Sequence, residues 1–133
     1  MATLKPTLSL SSTDALSDAI SFSVTDSLSI LGDVRRFTMA LTAGETELVE
    51  DQTILTASYN KTYVFLKNNS ATANVTIGPA TNDGAGDDAL DTTLLHLGPE
   101  EFAFFPWDTG GTLLCADTTA DGTLEVMLFE ATA

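Results

Sequence analysis

Between residues 20 and 30, apolar side chains fall on every second position. Ile20, Phe22, Val24, Leu28 and Ile30 share one parity, broken only by Asp26, while Ser21, Ser23, Thr25, Ser27 and Ser29 share the other. A strand sends successive side chains to opposite faces, so this period of two predicts a half-buried strand. The first set then belongs to a core face and the hydroxyls to water. A helix would scatter both sets around its circumference. Gly32-Asp33 follows, between Leu31 and Val34. Glycine in the first of two central positions is the signature of a type II′ hairpin turn, so the chain is expected to reverse there and return with Phe37, Met39 and Leu41 inward. Upstream, Leu4, Leu8 and Leu10 also alternate, and Pro6, which has no N–H to donate, suits an edge. Residues 1–12 therefore read as an extended arm or edge strand that could augment a neighbouring sheet.

The same idiom continues downstream. Ile54 to Ser58 is a short strand candidate, Asn60-Lys61 a turn, and Tyr63 to Leu66 is apolar on both faces, as a central covered strand would be. Asn68 to Ala71 forms a polar turn before Val75 and Ile77 alternate with Asn74 and Thr76. Residues 79–91, with Pro79, Gly84, Gly86 and four aspartates, read as a surface loop. Four further strands are expected at Thr93-Leu97, Glu101-Phe105, Thr112-Cys115 and Thr123-Phe129. They are divided by Gly98-Pro99, by Asp108 to Gly111 and by Asp121-Gly122. Only Ser12 to Ala19 suggests a turn or two of helix. About nine or ten short strands, with a turn signal every ten residues or so, predict a single all-β domain over residues 1–133. Its expected architecture is an antiparallel β-sandwich of jelly-roll-like kind.

Composition narrows the functions open to such a domain. The chain has 133 residues, enough to bury a core without staples, and 44% of them are hydrophobic against 18% charged, which excludes a disordered chain. No apolar run approaches the roughly 20 residues that span a bilayer, and Met1 to Leu10 lacks the basic head and apolar centre of a secretion signal. Nineteen acidic residues oppose five basic ones, for a net charge of −14. Nucleic acid and anionic membranes are repelled by such a field, and the bases Lys5, Arg35, Arg36, Lys61 and Lys67 form no footprint for phosphates.

Candidate chemistry is sparse. His96 is the only histidine and no Gly-x-Ser-x-Gly elbow accompanies it, so no catalytic residues are assigned and no cofactor is expected. Cys115, the only cysteine, lies in the apolar run Leu113 to Ala116 and reads as a buried, inert thiol. Most aspartates occupy turns, where their side chains bond nearby backbone. Asp83, Asp87 and Asp88 supply oxygens for a weak calcium candidate, without EF-hand spacing or its closing glutamate, so no metal site is assigned. Three Asn-x-Ser/Thr triplets, at Asn60, Asn68 and Asn74, are read as turn and strand polarity. The aromatic run is more telling. Phe102 and Phe104 share one parity, Phe105 and Trp107 the other, so one of the two faces is expected to meet a second sheet or a neighbouring subunit. Those four residues, with Leu4, Leu8 and Leu10, are the expected interface. Trp107, Tyr59 and Tyr63 are the alternative: an exposed platform for sugar stacking.

The segment Thr62-Tyr63-Val64-Phe65-Leu66-Lys67-Asn68-Asn69-Ser70-Ala71-Thr72-Ala73-Asn74-Val75-Thr76-Ile77-Gly78 places a strand ending in Lys-Asn before a polar turn and a strand ending in Gly. Leu97-Gly98-Pro99-Glu100-Glu101 then leads into the aromatic strand. This succession, over residues 53–130, resembles small virion proteins of tailed phages, including those of cyanobacteria; the turn carries Gly and Pro in swapped order. The resemblance implies a jelly-roll or sandwich subunit on the outer surface of a virion, most like a head decoration (cement) protein. Its implied partners are further copies of itself, as a homotrimer, and the major capsid protein. A receptor- or carbohydrate-binding module of a tail fibre or cell surface, with a glycan as partner, is the competing expectation.

Overall fold

A computed structural model describes residues 1–14, 19–42, 53–55, 61–80, 90–107 and 113–132. Among them are eleven strands and no helix. The strands are β1 (Ala2–Leu4), β2 (Thr7–Ser12), β3 (Ile20–Thr25), β4 (Leu28–Leu41), β5 (Thr53–Leu55), β6 (Thr62–Asn68), β7 (Val75–Ala80), β8 (Leu95–Leu97), β9 (Phe102–Trp107), β10 (Leu113–Thr118) and β11 (Gly122–Ala131). They form a five-stranded sheet in the order β1-β4-β11-β6-β9, a four-stranded sheet β5-β10-β7-β8, and a separate two-stranded ribbon β2-β3. Every pairing is antiparallel.

From β4 onward the chain changes sheet at every connection except that between β7 and β8, which are neighbours. Interleaving of this kind, in two Greek keys, defines a jelly roll. The all-β sandwich expected from the period-two pattern is therefore the fold. Its core lies between the inner faces of the two larger sheets. Val64, Leu66, Leu124 and Val126 meet Val75, Ile77, Leu114 and Ala116, all fully buried, with Phe37, Phe105 and Trp107 packed against them. Burying a Val, Leu or Ile side chain stabilises the fold by about 1.5–3 kcal/mol, so these facing rows supply much of the force that closes the sandwich.

Two sequence expectations are corrected. Gly32-Asp33 does not turn the chain back, because β4 runs through it as one 14-residue strand. The ten residues of β11 pair with β4 on both sides of that dipeptide. From Phe129↔Val34 to Ala131↔Ile30, β11 advances two residues while β4 advances four, so two extra residues are absorbed as a bulge. Long-range pairing overrides a local turn signal there, and a bulge is where a strand accommodates glycine.

The second correction concerns Ile20, Phe22 and Val24, expected on a core face. They lie on β3, which pairs with β2 alone, and Phe22 and Val24 are half exposed. The alternation was real, but its apolar side is not packed into the core between the two larger sheets. The same stretch recovers its expected burial only at Leu28 and Ile30, where β4 has joined the five-stranded sheet. Residues 1–12 divide at Pro6: Ala2–Leu4 is an edge strand against Leu28–Ile30, and Thr7–Ser12 departs into the ribbon. Of the expected helix at 12–19, Ser12 belongs to β2 and residues 15–18 lie outside the described residues, as do Asn60 of the expected turn and the loop that holds Asp83, Asp87 and Asp88.

Candidate interaction surface

The outer face of the five-stranded sheet is built in rows across β4, β11, β6 and β9, because residues paired in register share a face. One row reads Val34, Phe129, Tyr63, Pro106; the next Arg36, Met127, Phe65, Phe104; the third Thr38, Glu125, Lys67, Phe102. A sheet face turned to water is ordinarily polar. Here the middle of the first two rows is aromatic or thioether, and diagonal neighbours stack. The Tyr63 and Phe104 rings lie 6.2 Å apart at 12°, and those of Phe65 and Phe102 6.3 Å apart at 28°. Phe102 is 62% exposed and Phe104 37%.

Beside this face stands the β2-β3 ribbon. Register places Leu8 opposite Val24 and Leu10 opposite Phe22 on one side, and Thr7–Thr25, Ser9–Ser23 and Ser11–Ser21 on the other. Hydroxyls join across two of those polar rungs, at 2.8 Å for Thr7–Thr25 and 3.1 Å for Ser9–Ser23. The four apolar side chains are 46–52% exposed. Leu4, Leu8, Val24 and Leu28 on one flank, with Tyr63, Phe65, Phe102, Phe104, Met127 and Phe129 on the other, enclose an open groove of about 940 Å³.

Charge is distributed unevenly around it. Three of the five cations in the chain belong to this face: Lys61 lies 5.5 Å over the Tyr63 ring, Arg36 donates to Glu125 Oε1 from Nε at 3.1 Å and Nη2 at 2.7 Å, and Lys67 Nζ is 3.6 Å from Glu100. The hydrogen bonds from Arg36, and then its charge, hold the Glu125 carboxyl below its ordinary value despite partial desolvation, with smaller help from Asn69 and Lys67. Against a net charge of −14, the aromatic face thus carries most of the available positive charge.

The residues expected at an interface are divided by the fold. Phe102, Phe104, Leu8 and Leu10 are exposed and Leu4 is half-buried at the groove, whereas Phe105 and Trp107 turn inward to the core cluster. Trp107 is therefore no outward platform; its indole N–H is buried without an acceptor among the described residues. Tyr63 does line the groove, and Tyr59 lies outside the described residues. Sequence reasoning missed Phe65, Met127 and Phe129. The available signal was two-sided apolarity in Tyr63 to Leu66, read as a strand covered on both sides, and the same two-sided apolarity in Leu124 to Phe129, where only a strand was read. His96 is exposed on β8 opposite Thr76, and Cys115 is fully buried. Among the described residues no three His, Cys, Asp or Glu side chains are grouped to hold a metal ion. The arrangement is suited to binding by desolvation of apolar surface.

Compared with known proteins, the chain matches no family model, no curated protein and no solved structure.

Proposed function

We propose that this chain is a structural subunit of a tailed-phage virion, a decoration protein that stabilises the head by joining copies of itself to the major capsid protein across capsomer junctions. The observation that carries the reading is the uncovered apolar surface: an aromatic sheet face and an apolar ribbon, both open to solvent. Exposed patches of this kind on an otherwise well-buried domain mark places where another protein sits. The jelly roll agrees, being an architecture of viral capsid domains, although the same fold also serves lectins and does not by itself assign a role. The acidic charge agrees as well, since a protein outside the shell has no packaged genome to bind. The carbohydrate-binding alternative loses support from the inward turn of Trp107.

The reading is tested by co-sedimentation of the purified chain with empty shells assembled from a tailed-phage major capsid protein, beside a glycan array. Saturable binding to expanded shells with raised heat resistance, and a blank array, is the expected result. Binding to sugars with none to shells would replace it with the alternative.

A further inference from the structure

We propose that the β2-β3 ribbon of one copy docks its apolar side onto the outer aromatic face of a second copy. Leu8, Leu10, Phe22 and Val24 would then be seated over Phe102, Phe104 and their neighbours. This rests on the assembling role above and names its contact.

The ribbon is an unusual element to leave in water. It hydrogen-bonds through its strands only to itself, and an isolated two-stranded hairpin is marginal without a surface to lean on. Natural proteins protect such edges with lysine, proline or inward-pointing charges. Neither Thr7–Ser12 (TLSLSS) nor Ile20–Thr25 (ISFSVT) has a charged residue or a proline. In a chain of net charge −14 the two paired strands of the ribbon therefore approach another copy with no charge of their own to repel it. The face that receives it carries Arg36, Lys61 and Lys67 at its margins, and Arg36 and Lys67 there pair with Glu125 and Glu100, so donor and acceptor meet with little net charge between them.

Dimensions also match. Six residues per strand make a ribbon about 20 Å long, and the outer face is built of rows that span four strands. From the exposures of the ribbon and sheet side chains, one ribbon-on-sheet contact covers on the order of 700 Å². A reciprocal pair, each copy giving and receiving a ribbon, reaches about 1,400 Å², within the range of stable interfaces.

The test has two arms on the full chain. In the first, light scattering reads the mass of the wild type and of a Leu10→Ser/Phe22→Ser variant, whose altered side chains are half exposed and outside the core. The wild type is expected at a multiple of 14.0 kDa. The variant is expected to associate at least about tenfold more weakly while keeping its cooperative unfolding. In the second arm, Phe22→Cys chains are mixed with Phe102→Cys chains under mild oxidation. Cys115 is buried, so the native thiol stays silent. A disulfide joining one chain of each kind is the expected product. An oligomer whose mass is unchanged in the ribbon variant overturns the ribbon contact and leaves the assembling role standing. A wild-type monomer overturns the exchange, and shell co-sedimentation then decides the broader role alone. A Phe22→Cys/Phe102→Cys double variant that closes within one chain, while the mixture does not react, shows the ribbon on its own sheet and overturns the proposal.

Discussion

The side-chain amide of Asn68 donates to the carbonyl of Gly98 at 2.9 Å, tying the end of β6 to a turn thirty residues further along the chain. The same Nδ2 reaches the carbonyls of Ala73 at 2.7 Å and Leu97 at 3.2 Å, and Oδ1 accepts from the Ser70 amide at 3.0 Å. Asn68 is fully buried, so its two amide hydrogens satisfy carbonyls that water does not reach. One side chain thereby closes the β6-β7 connection and fixes the start of the aromatic strand β9. Replacing it strands several buried acceptors together. Asn68→Ala is expected to cost about 2–4 kcal/mol in denaturant unfolding, and Asn68→Asp at least as much at neutral pH, since a carboxylate has no proton to donate. The exposed neighbour change Asn69→Ala is expected within about 0.5 kcal/mol of wild type.

Gly78 tolerates no side chain. A Cβ there would lie 1.8 Å from the Thr92 carbonyl oxygen, which is backbone and cannot swing away. The close approach lets Leu94 N–H bond the Ile77 carbonyl at 2.8 Å, the contact that starts the β7-β8 pairing. Gly78→Ala must push these segments apart, at a cost of about 3 kcal/mol or more, read as a fall in the urea midpoint. A loss below about 1 kcal/mol would mean that the segment before β8 can move aside.

Glu100 is the one described non-glycine residue with a positive φ, 63°. It follows Pro99 in a turn closed by Glu101 N–H to Gly98 O at 3.2 Å, where a type II turn places glycine by preference. Glu101 adds its own carboxylate, accepting from the Gly98 amide at 2.6 Å. Glu100→Gly is expected to raise stability by up to about 1 kcal/mol, the relief of left-handed strain exceeding the loss of an exposed contact with Lys67. Thermal unfolding checks it, and a lowered midpoint would show that the contact outweighs the strain.

Cys115 sits at 0% exposure on the inner strand β10. A thiol reagent such as dithionitrobenzoate is expected to leave the native protein unlabelled and to react fully in denaturant. Rapid labelling in the absence of denaturant would show that β10 opens.

Much of this architecture was legible in the sequence, and its losses have a pattern. Alternation found β3, β7 and the two faces of β9, since period two is a local property of the chain. What alternation cannot supply is the identity of the layer opposite. Phe22 and Val24 read as core because nothing local distinguishes an apolar face covered by a second sheet from one left open. Phe65 and Met127 were passed over for the converse reason, their strands being apolar on both sides. Gly32-Asp33 failed because the pairing of β4 with β11 joins residues almost a hundred positions apart, as at Val34 and Phe129. The candidate surface was half visible in the aromatic run, where parity correctly separated Phe102 and Phe104 from Phe105 and Trp107. Which pair faced outward depended on where β9 sits in its sheet.

The last prediction concerns pH. Arg36 binds Glu125 through two nitrogens, and this hydrogen bonding is the largest cause that lowers the carboxyl from its ordinary 4.5. A group that holds its proton less tightly when folded stabilises the fold in its ionised form. The contribution is therefore fully present above pH 4.5 and is lost as the pH falls through the depressed folded value. Arg36 is 68% exposed, so screening by salt keeps the effect on stability modest, and the titration itself is the sharper readout. An NMR titration of the Glu125 side-chain carboxyl is expected to show a midpoint below 4.5 that moves upward in Arg36→Gln. High salt should shift the wild-type midpoint in the same direction but less far, because the hydrogen bonds survive screening better than the long-range attraction does. An unchanged midpoint in Arg36→Gln would assign the depression to Asn69 and Lys67 instead, and with it the anchoring of that edge of the outer face.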